Sequence, residues 1–256
     1  MFGQHHIAVV VPAHNESKLI AQAVTSIPAF VDTIIVVDDA STDDTYDVIS
    51  RMPKRPDIEV IRHEANRGVG GAIVTGYKKA MALGAELVAV MAGDAQMDPG
   101  DLPFLLEPLV KGSCDYAKGD RLSWPGVSKQ MPLLRFIGNH VLSKLTRISS
   151  GFPEVCDSQC GYTAITADLL SRIDLDALWP RYGFPNDLLA KVHAAGGRIE
   201  NVVVRPIYGE EVSGISLTTA FFRVPAVLFR SFLWRLRRER RLPGNVDIAP
   251  LKPIDG

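Results

Sequence analysis

The stretches IAVVVPAHNE (7–16), TIIVVDDASTDD (33–44) and LVAVMAGDAQMDP (87–99) decide the fold. Each opens with a continuous apolar run that is rich in Val and Ile and ends in a polar loop. A continuous run of this kind is typical of a strand that is buried on both faces of a parallel sheet. The sequence therefore predicts three central strands whose polar loops all follow their carboxyl ends.

Outward from these stretches, strand-like and helix-like segments alternate. This order predicts an α/β fold, with a Rossmann-like, mostly parallel sheet flanked by helices. Ligands of such sheets bind at the carboxyl ends of the strands. The predicted strands are Ile7–Val11, Thr33–Val37, Ile58–Arg62, Leu87–Met91, Asp115–Lys118 and Arg198–Val204. The predicted helices are Ser17–Ser26, Thr42–Arg51, Ala72–Leu83, Asp101–Val110, Leu133–Ile148, Ala167–Ile173 and Asn186–Ala195.

Length, charge and cysteine content narrow the class of protein. A chain of 256 residues suits one large domain, or one domain with an appendage. The net charge of −1 argues against a general nucleic-acid binder, which would carry a basic excess. Three cysteines without a CxxC pair fit a reducing cytoplasm. We find no apolar run of the roughly 18 residues that a membrane-spanning helix needs.

The loop MAGDAQMDP (91–99) carries the strongest chemical signal. Carboxylates that follow a buried strand can hold a hard cation, and such a cation can bridge the diphosphate of a nucleotide sugar. The alternative is structural, with Asp94 capping the following turn and Asp98 starting the next helix. The spacing alone leaves both interpretations open.

Two further loops predict contacts with a nucleotide. In VVDDASTDDT (36–45), Asp39 is a candidate acceptor for a nucleobase N–H or a ribose hydroxyl, whereas Thr42 and Asp43 are more typical of helix capping. In NRGVGG (66–71), the glycines before a helix suggest either a phosphate cradle or close packing of the helix on the sheet.

Taken together, VPAHNES (11–17), VVDDASTDDT, NRGVGGAIVTGYKKA (66–80) and MAGDAQMDP resemble glycosyltransferase family 2 in order and spacing. The downstream KGDR, LLRFIGN and DSQCGYTAI segments are similar to the dolichol-phosphate mannosyltransferase branch, whose members glycosylate a polyprenyl phosphate. The resemblance covers roughly residues 7–215 and implies the GT-A fold. It also implies an inverting transfer from a GDP- or UDP-linked sugar that depends on Mg²⁺ or Mn²⁺.

The resemblance also implies roles for individual residues. Arg121 and Arg135 would face the phosphates of donor and acceptor, and Asp157 and Gln159 would lie near the transferred sugar. Asp94, with Gln96, would hold the metal beside the diphosphate; the family often has a second acid where this chain has Ala92. The implied nucleotide-binding residues are Pro12, Ala13, Asn15, Glu16, Val37, Asp39, Arg67, Ala92 and Gly93.

The chemistry of the acceptor leaves two mechanisms open. A hydroxyl acceptor needs a carboxylate base, for which Asp157 and Asp187 are the candidates. A phosphomonoester, with a second pKa of about 6, is already mostly dianionic and needs only positioning by arginines. We expect a polyprenyl phosphate acceptor. A hydroxyl of a soluble or glycan acceptor, and a non-catalytic nucleotide-sugar-binding protein, are the alternatives.

The C-terminal segment predicts contact with a membrane surface. Residues 1–217 are expected to form the catalytic domain, with a nucleotide-binding half (1–120) and an acceptor half (121–217). Residues 218–241 are predicted to form a basic amphipathic helix suited to an anionic membrane, and 242–256 a disordered tail. The alternative is a helix packed on the protein's own core or on a partner. We therefore expect a cytoplasmic protein, peripheral on the inner face of the membrane, and leave a membrane-protein partner and a homo-oligomer open.

Overall fold

The computed structural model describes residues 4–53, 57–207 and 224–239, and within them seven strands form one sheet. The strands are β1 (Ile7–Ala13), β2 (Thr33–Asp38), β3 (Ile58–Arg62), β4 (Leu87–Val90), β5 (Tyr116–Asp120), β6 (Thr163–Thr166) and β7 (Ile199–Val203). Their order in the sheet is β3-β2-β1-β4-β6-β5-β7. All neighbouring pairs are parallel except the two that include β6. The predicted α/β architecture is confirmed.

Helices cover both faces of this sheet. They are α1 (Ile20–Ser26), α2 (Thr45–Arg51), α3 (Val69–Ala82), α4 (Leu102–Val110), α5 (Val127–Gln130), α6 (Leu133–Ser150), α7 (Ala167–Ser171), α8 (Phe184–Ala194) and α9 (Val224–Glu239). Short 3-10 turns lie at Pro99–Asp101 and Leu175–Ala177. The predicted helices differ mainly at their ends, and α6 runs on to Ser150 because Gly151 adopts the left-handed conformation that ends a helix. None of the helices in the described part of the chain combines the length and the apolarity that crossing a bilayer requires.

Strand β6 is the strand that the sequence analysis missed, as it also missed the one-turn helix α5. The strand has only four residues, yet it lies between β4 and β5 and is antiparallel to both. Ala164 pairs with Ala89 on one side and with Ala117 on the other. The partners of β6 are distant in the chain, and four residues are too few to show a strand periodicity. The local sequence therefore does not predict this strand. The sheet is continuous through β6, so the predicted nucleotide and acceptor halves share it.

The core has two layers, one on each face of the sheet. Val9 and Val11 point toward the layer that contains α1 and α4, whereas Ala8 and Val10 point toward α3, α7 and α8. Helix α3 approaches β1 so closely that a Cβ at Gly76 would lie 2.2 Å from Val10 Cγ1. The layers hold the carboxyl ends of β1, β2 and β4 side by side.

Helix α9 packs against α6 and α8. Val227 and Leu228 are buried, Ser231 Oγ donates to Asp187 Oδ1 at 2.7 Å, and Arg235 Nε donates to the Ser149 carbonyl at 3.2 Å. The described part of the predicted tail helix therefore rests on the protein's own core, as in the alternative considered above. The remainder of that predicted helix (218–223 and 240–241) and the predicted tail (242–256) lie outside the described residues.

Candidate active site

The polar loops after β1, β2 and β4 converge on one cleft of about 950 Å³ at the carboxyl edge of the sheet. Pro12, Asp39 and Asp94, one from each loop, all line it. Among the other predicted nucleotide-binding residues, the structure brings Ala13, Glu16, Ala92 and Gly93 to this cleft. The convergence follows from the parallel register of β1 with both β2 and β4.

The loop that follows β4 presents Asp94 to this cleft. Gly93 is buried so tightly that a Cβ there would lie 2.9 Å from Ile20 Cδ1. Asp94 Oδ1 accepts the Gln96 backbone N–H at 3.0 Å across a turn in which Ala95 has a φ of 53°. Asp98 caps the next turn by accepting the Gly100 N–H at 2.9 Å. Asp98 thus has the structural role considered for it, and Asp94 both caps a turn and remains partly exposed to the cleft.

A second, smaller cavity of about 160 Å³ adjoins Asp94. Asp94 lines both cavities, and Gln96, Arg121 and Gln159 line the smaller one. Arg205, which follows β7, is a further cationic residue of its wall. The two cavities thus meet at a carboxylate, and the smaller one is bordered by two guanidinium groups.

Asp94 lies in the electrostatic field of two arginines. Burial raises the pKa of the Asp94 carboxyl above its usual range, and the Gln96 N–H and the charges of Arg121 and Arg135 act against that shift. Arg135, at the start of α6, does not line either cavity but acts on Asp94 through its charge. Both predicted phosphate-facing arginines are therefore close to the predicted metal ligand.

Asp157 is fully buried and orients Arg121. Its two carboxylate oxygens accept Arg121 Nε–H at 2.8 Å and Nη2–H at 3.2 Å, and Oδ1 also accepts the Gln159 N–H at 3.1 Å. Burial is the largest single influence and disfavours the charged carboxylate, but the Arg121 guanidinium, the Lys118 ammonium and the Gln159 N–H together outweigh it and hold the pKa of Asp157 below its usual range. Asp157 lines neither cavity. The pair aims the guanidinium of Arg121 toward the smaller cavity.

A buried lysine contacts the loop that carries Asp157. Lys118 on β5 is fully buried, and its Nζ donates to the Cys160 carbonyl at 2.7 Å. Burial lowers the pKa of this ammonium group, and the nearby Asp157 carboxylate opposes that effect. Lys118 therefore ties the loop that carries Asp157 and Gln159 to the sheet.

The carboxylate of Asp39 organises the loop that precedes α3. Its Oδ1 lies 2.7 Å from His63 Nδ1 and accepts the Arg67 N–H at 2.8 Å, while Oδ2 accepts the Gly68 N–H at 2.7 Å. The side chain is 3% exposed. The Asp39 carboxylate thus has three protein partners. A carboxylate can accept about four hydrogen bonds, so little of its capacity remains.

Three residues predicted to bind the nucleotide do not line the cleft. Val37 is fully buried in the sheet, since alternate side chains of β2 point into the core. Asn15 instead caps the loop after β2, where its Oδ1 accepts the Thr42 N–H at 2.8 Å. Arg67 contributes its backbone N–H to Asp39. The side chain of Val37 thus serves the core and that of Asn15 a neighbouring loop, whereas the exposed side chain of Arg67 leaves its contact with the nucleotide a prediction.

Asp187, predicted to contact sugar or acceptor, is also buried away from both cavities. Its Oδ2 accepts the Trp179 N–H at 3.0 Å, and its Oδ1 accepts the Ser231 hydroxyl. Asp187 therefore connects α8 and α9 to the segment around Trp179. That position gives it a structural role, and its predicted contact with sugar or acceptor has no support in the lining of either cavity.

The wall of the cleft opposite the strand ends comes from residues that the sequence analysis missed. Trp179 and Tyr182 supply aromatic surface, and Arg181 and Arg230 supply positive charge. The guanidinium carbon of Arg230 lies 5.2 Å from the centre of the Trp179 ring, and Arg181 Nη1 donates to Asn66 Oδ1 at 3.2 Å. The clustering of aromatic and basic residues in WPRY (179–182) was the available signal.

The residues around Asp94 fit a metal that is held largely by its substrate. Among the described residues, no group of three or more His, Cys, Asp or Glu side chains could enclose a cation. Asp94 offers one partly exposed carboxylate, and Gln96 lies beside it on the wall of the smaller cavity. Magnesium is commonly bound by one or two carboxylates together with substrate phosphates. The donor set fits that mode of binding.

Two known proteins are similar to this chain over most of its length. UDP-N-acetylglucosamine–dolichyl-phosphate N-acetylglucosaminyltransferase of Methanococcus voltae is 32% identical over 218 residues, 80% of this chain and 86% of that protein. Undecaprenyl-phosphate mannosyltransferase of Micrococcus luteus is 30% identical over 207 residues, 77% of this chain and 82% of that protein.

Among solved structures, glucosyl-3-phosphoglycerate synthase of Mycobacterium tuberculosis, crystallised with Mn²⁺ and UDP-glucose, has the same fold. The TM-score is 0.67 at 22% identity, over 90% of this chain and 80% of that one. The family model for glycosyl transferase family 2 matches residues 8–174. With that match and the two relatives, the predicted resemblance is confirmed: this chain belongs to glycosyl transferase family 2, and is a glycosyltransferase.

Proposed function

We propose that this glycosyltransferase moves a sugar from a UDP- or GDP-linked donor to a polyprenyl phosphate with inversion at the anomeric carbon. The observation that carries the proposal is the junction of two cavities at Asp94. The larger cavity has room for a nucleotide sugar, and the smaller one is bordered by Arg121 and Arg205. The sugar would lie between them, where its anomeric carbon can be reached from the side of the smaller cavity.

The larger cleft suits a nucleoside diphosphate. Pro12 and Ala13 would contact the base and ribose at the end of β1, with the diphosphate between Asp94 and the opposite wall. Arg181 and Arg230 on that wall supply positive charge for the phosphates. Mg²⁺ or Mn²⁺ held by Asp94, with Gln96, would neutralise charge on the departing diphosphate. The Mn²⁺ and UDP-glucose in the crystals of the mycobacterial synthase support a divalent cation here.

The smaller cavity favours a phosphate acceptor over a hydroxyl. A hydroxyl needs a base, and both candidates are buried in structural pairs, Asp157 with Arg121 and Asp187 with Ser231. A phosphate monoester is already mostly dianionic at neutral pH, because its second pKa is about 6. Arg121 and Arg205 would bind and aim that dianion. The names of the two relatives, which act on dolichyl and undecaprenyl phosphates, support this class of acceptor.

In this mechanism the protein supplies positioning and electrostatic stabilisation. Asp157 holds Arg121, which would orient a phosphate oxygen toward the anomeric carbon. The oxygen attacks the anomeric carbon from the face opposite the leaving diphosphate. The bond between that carbon and the diphosphate oxygen breaks as the new carbon–oxygen bond forms. The nucleoside diphosphate leaves on the side of Arg181 and Arg230. Such a reaction on a lipid phosphate requires a position at the membrane surface, where we expect the cytoplasmic protein to be peripheral.

The test is nucleoside diphosphate release by the full chain. A panel of UDP- and GDP-sugars is combined with polyprenyl phosphate in detergent and with Mg²⁺, Mn²⁺ or a chelator. We expect release with one donor, only when polyprenyl phosphate and a cation are present. Asp94→Asn should lower the rate by about a hundredfold or more, since it removes a charge that acts in the transition state.

Two controls make this test specific. Asp168→Asn changes an exposed carboxylate on α7 that lines neither cavity, and should leave the rate within a factor of two or so. The polyprenol alcohol of equal length should be inactive because it lacks the dianion. Transfer to that alcohol or to a soluble hydroxyl acceptor, with none to the phosphate, would favour the hydroxyl mechanism. Donor binding without any release would indicate a non-catalytic sugar-nucleotide-binding protein.

A further inference from the structure

Helix α6 has polar side chains on its buried face and apolar side chains on its exposed face, the reverse of the usual arrangement. The face that packs on the protein is made of small polar residues, since Asn139, Ser143 and Thr146 are buried. Ser143 Oγ accepts the Ser158 N–H at 3.0 Å, and Thr146 Oγ1 donates to Asn186 Oδ1 at 2.9 Å. Small polar side chains and their hydrogen bonds therefore form the most buried face of this helix, and several of its apolar residues lie on the outside.

The outer face of α6 is a continuous apolar stripe. Its residues recur at the spacing of three and four that places side chains on one side of a helix. At 1.5 Å of rise per residue, the stripe is about 20 Å long. Exposed contiguous apolar surface of this kind marks a binding surface in a folded protein. The stripe comprises Leu134 (66% exposed), Ile137 (51%), Val141 (51%), Leu145 (43%) and Ile148 (64%).

The charge around the stripe identifies its partner. Between Asp120 and Glu154 the chain contains no acidic residue, and both lysines of this segment, Lys129 and Lys144, are exposed. Lys144 is exposed on α6 next to the stripe, and Arg135 lies at the beginning of the helix. An apolar face accompanied by cations matches the surface of an anionic lipid bilayer. A second copy of this face in a two-fold dimer would instead meet the same cations.

We propose that α6 docks this glycosyltransferase on an anionic membrane, with the apolar stripe inserted at the level of the lipid headgroups. The inference rests on the proposed lipid acceptor. The helix begins beside the site, since the charge of Arg135 in its first turn acts on Asp94. Docking through α6 would bring the smaller cavity to the membrane surface, where the phosphate of a polyprenyl chain lies. It differs from the sequence-based prediction, which assigned the membrane surface to the C-terminal helix.

Vesicle flotation with the full chain tests this docking. The vesicles contain phosphatidylcholine with or without phosphatidylglycerol, and no polyprenyl phosphate or nucleotide sugar. We expect binding to the anionic vesicles and at least a tenfold or so weaker binding by the triple variant Ile137→Ser/Val141→Ser/Leu145→Ser. Lys144→Gln should weaken binding by about fivefold, in keeping with one cation near a charged membrane. The control is Phe104→Ser, an equally exposed apolar side chain on α4, and should bind as the unchanged protein does.

The outcomes separate docking from catalysis. The triple variant should keep transfer to a short, water-soluble polyprenyl phosphate and lose transfer to long-chain acceptor in vesicles. Failure of transfer with intact vesicle binding would contradict the proposed function and leave docking standing. Absence of binding by the unchanged protein would overturn the docking proposal. Unchanged vesicle binding by the triple variant would also overturn it. If light scattering then showed that the variant had lost a dimer, a second copy of the chain would be the partner of the stripe.

Discussion

The substitution Asp157→Asn tests whether the buried pair with Arg121 holds the site together. Asp157 is fully buried and the Arg121 side chain is 17% exposed, so water compensates little for the loss of either partner. The carboxylate now accepts hydrogen bonds from the N–H groups of Arg121 and Gln159. In the amide, an NH₂ group would face these donors in place of one oxygen. Removing one partner of a buried ion pair typically costs about 3–5 kcal/mol in the free energy of unfolding.

For a chain of this size, each kcal/mol lowers Tm by about 2–4 °C, so we expect Asp157→Asn to lower Tm by about 6–20 °C. Calorimetry or thermal denaturation followed by circular dichroism measures the shift. The matched control is Asp168→Asn, which removes an exposed i,i+4 pair with Arg172 and should cost about 0.5 kcal/mol or less. A loss for Asp157→Asn no larger than that of the control would refute this account of the pair.

The same pair predicts a dependence of stability on pH. The pKa of Asp157 is lower in the folded state than its usual value, so the folded state stabilises the ionised form. That contribution is complete above the unfolded-state pKa of about 3.9 and is lost as pH falls through the folded-state pKa. The difference in unfolding free energy between the unchanged protein and Asp157→Asn should therefore shrink as pH is lowered below about 4. A difference that stays constant there would contradict the assignment.

Two further predictions concern the donor cleft and the core. Arg230→Ala should raise the KM for the nucleotide sugar by about tenfold with little change in kcat, because the proposed charge-assisted contact to the diphosphate would be lost. Arg237→Ala, exposed on the same helix and absent from the cleft wall, is the control in steady-state kinetics. Gly76→Ala should reduce unfolding free energy in urea by about 1–3 kcal/mol, since the new Cβ would meet Val10. Gly138→Ala, with open space around it, should instead stabilise α6 by about 0.5–1 kcal/mol.

The position of the larger cleft was predictable because it depends on local sequence. The apolar runs of β1, β2 and β4 are buried on both faces, and a run of that kind indicates a central parallel strand whatever its neighbours are. Once those strands are parallel, the loops at their carboxyl ends must share one edge of the sheet. Asp39 and Asp94 therefore meet in one cleft for a reason that is already present in the sequence.

The roles of individual side chains depend on contacts between distant segments. Asp157 meets Arg121 across 36 positions and Asp187 meets Ser231 across 44, and only that pairing shows that both carboxylates are buried rather than available as bases. Strand β6 is likewise defined by its neighbours in the sheet, not by its own four residues.

The sequence by itself determined the α/β alternation, the order of the polar loops and the family to which they belong. The tertiary structure alone decided which faces are covered. Periodicity shows that a helix such as α6 has an apolar stripe, but the stripe that packs inward is chosen by the elements around it. Here α9 covers α8 and one side of α6, so the apolar side of α6 is left facing outward.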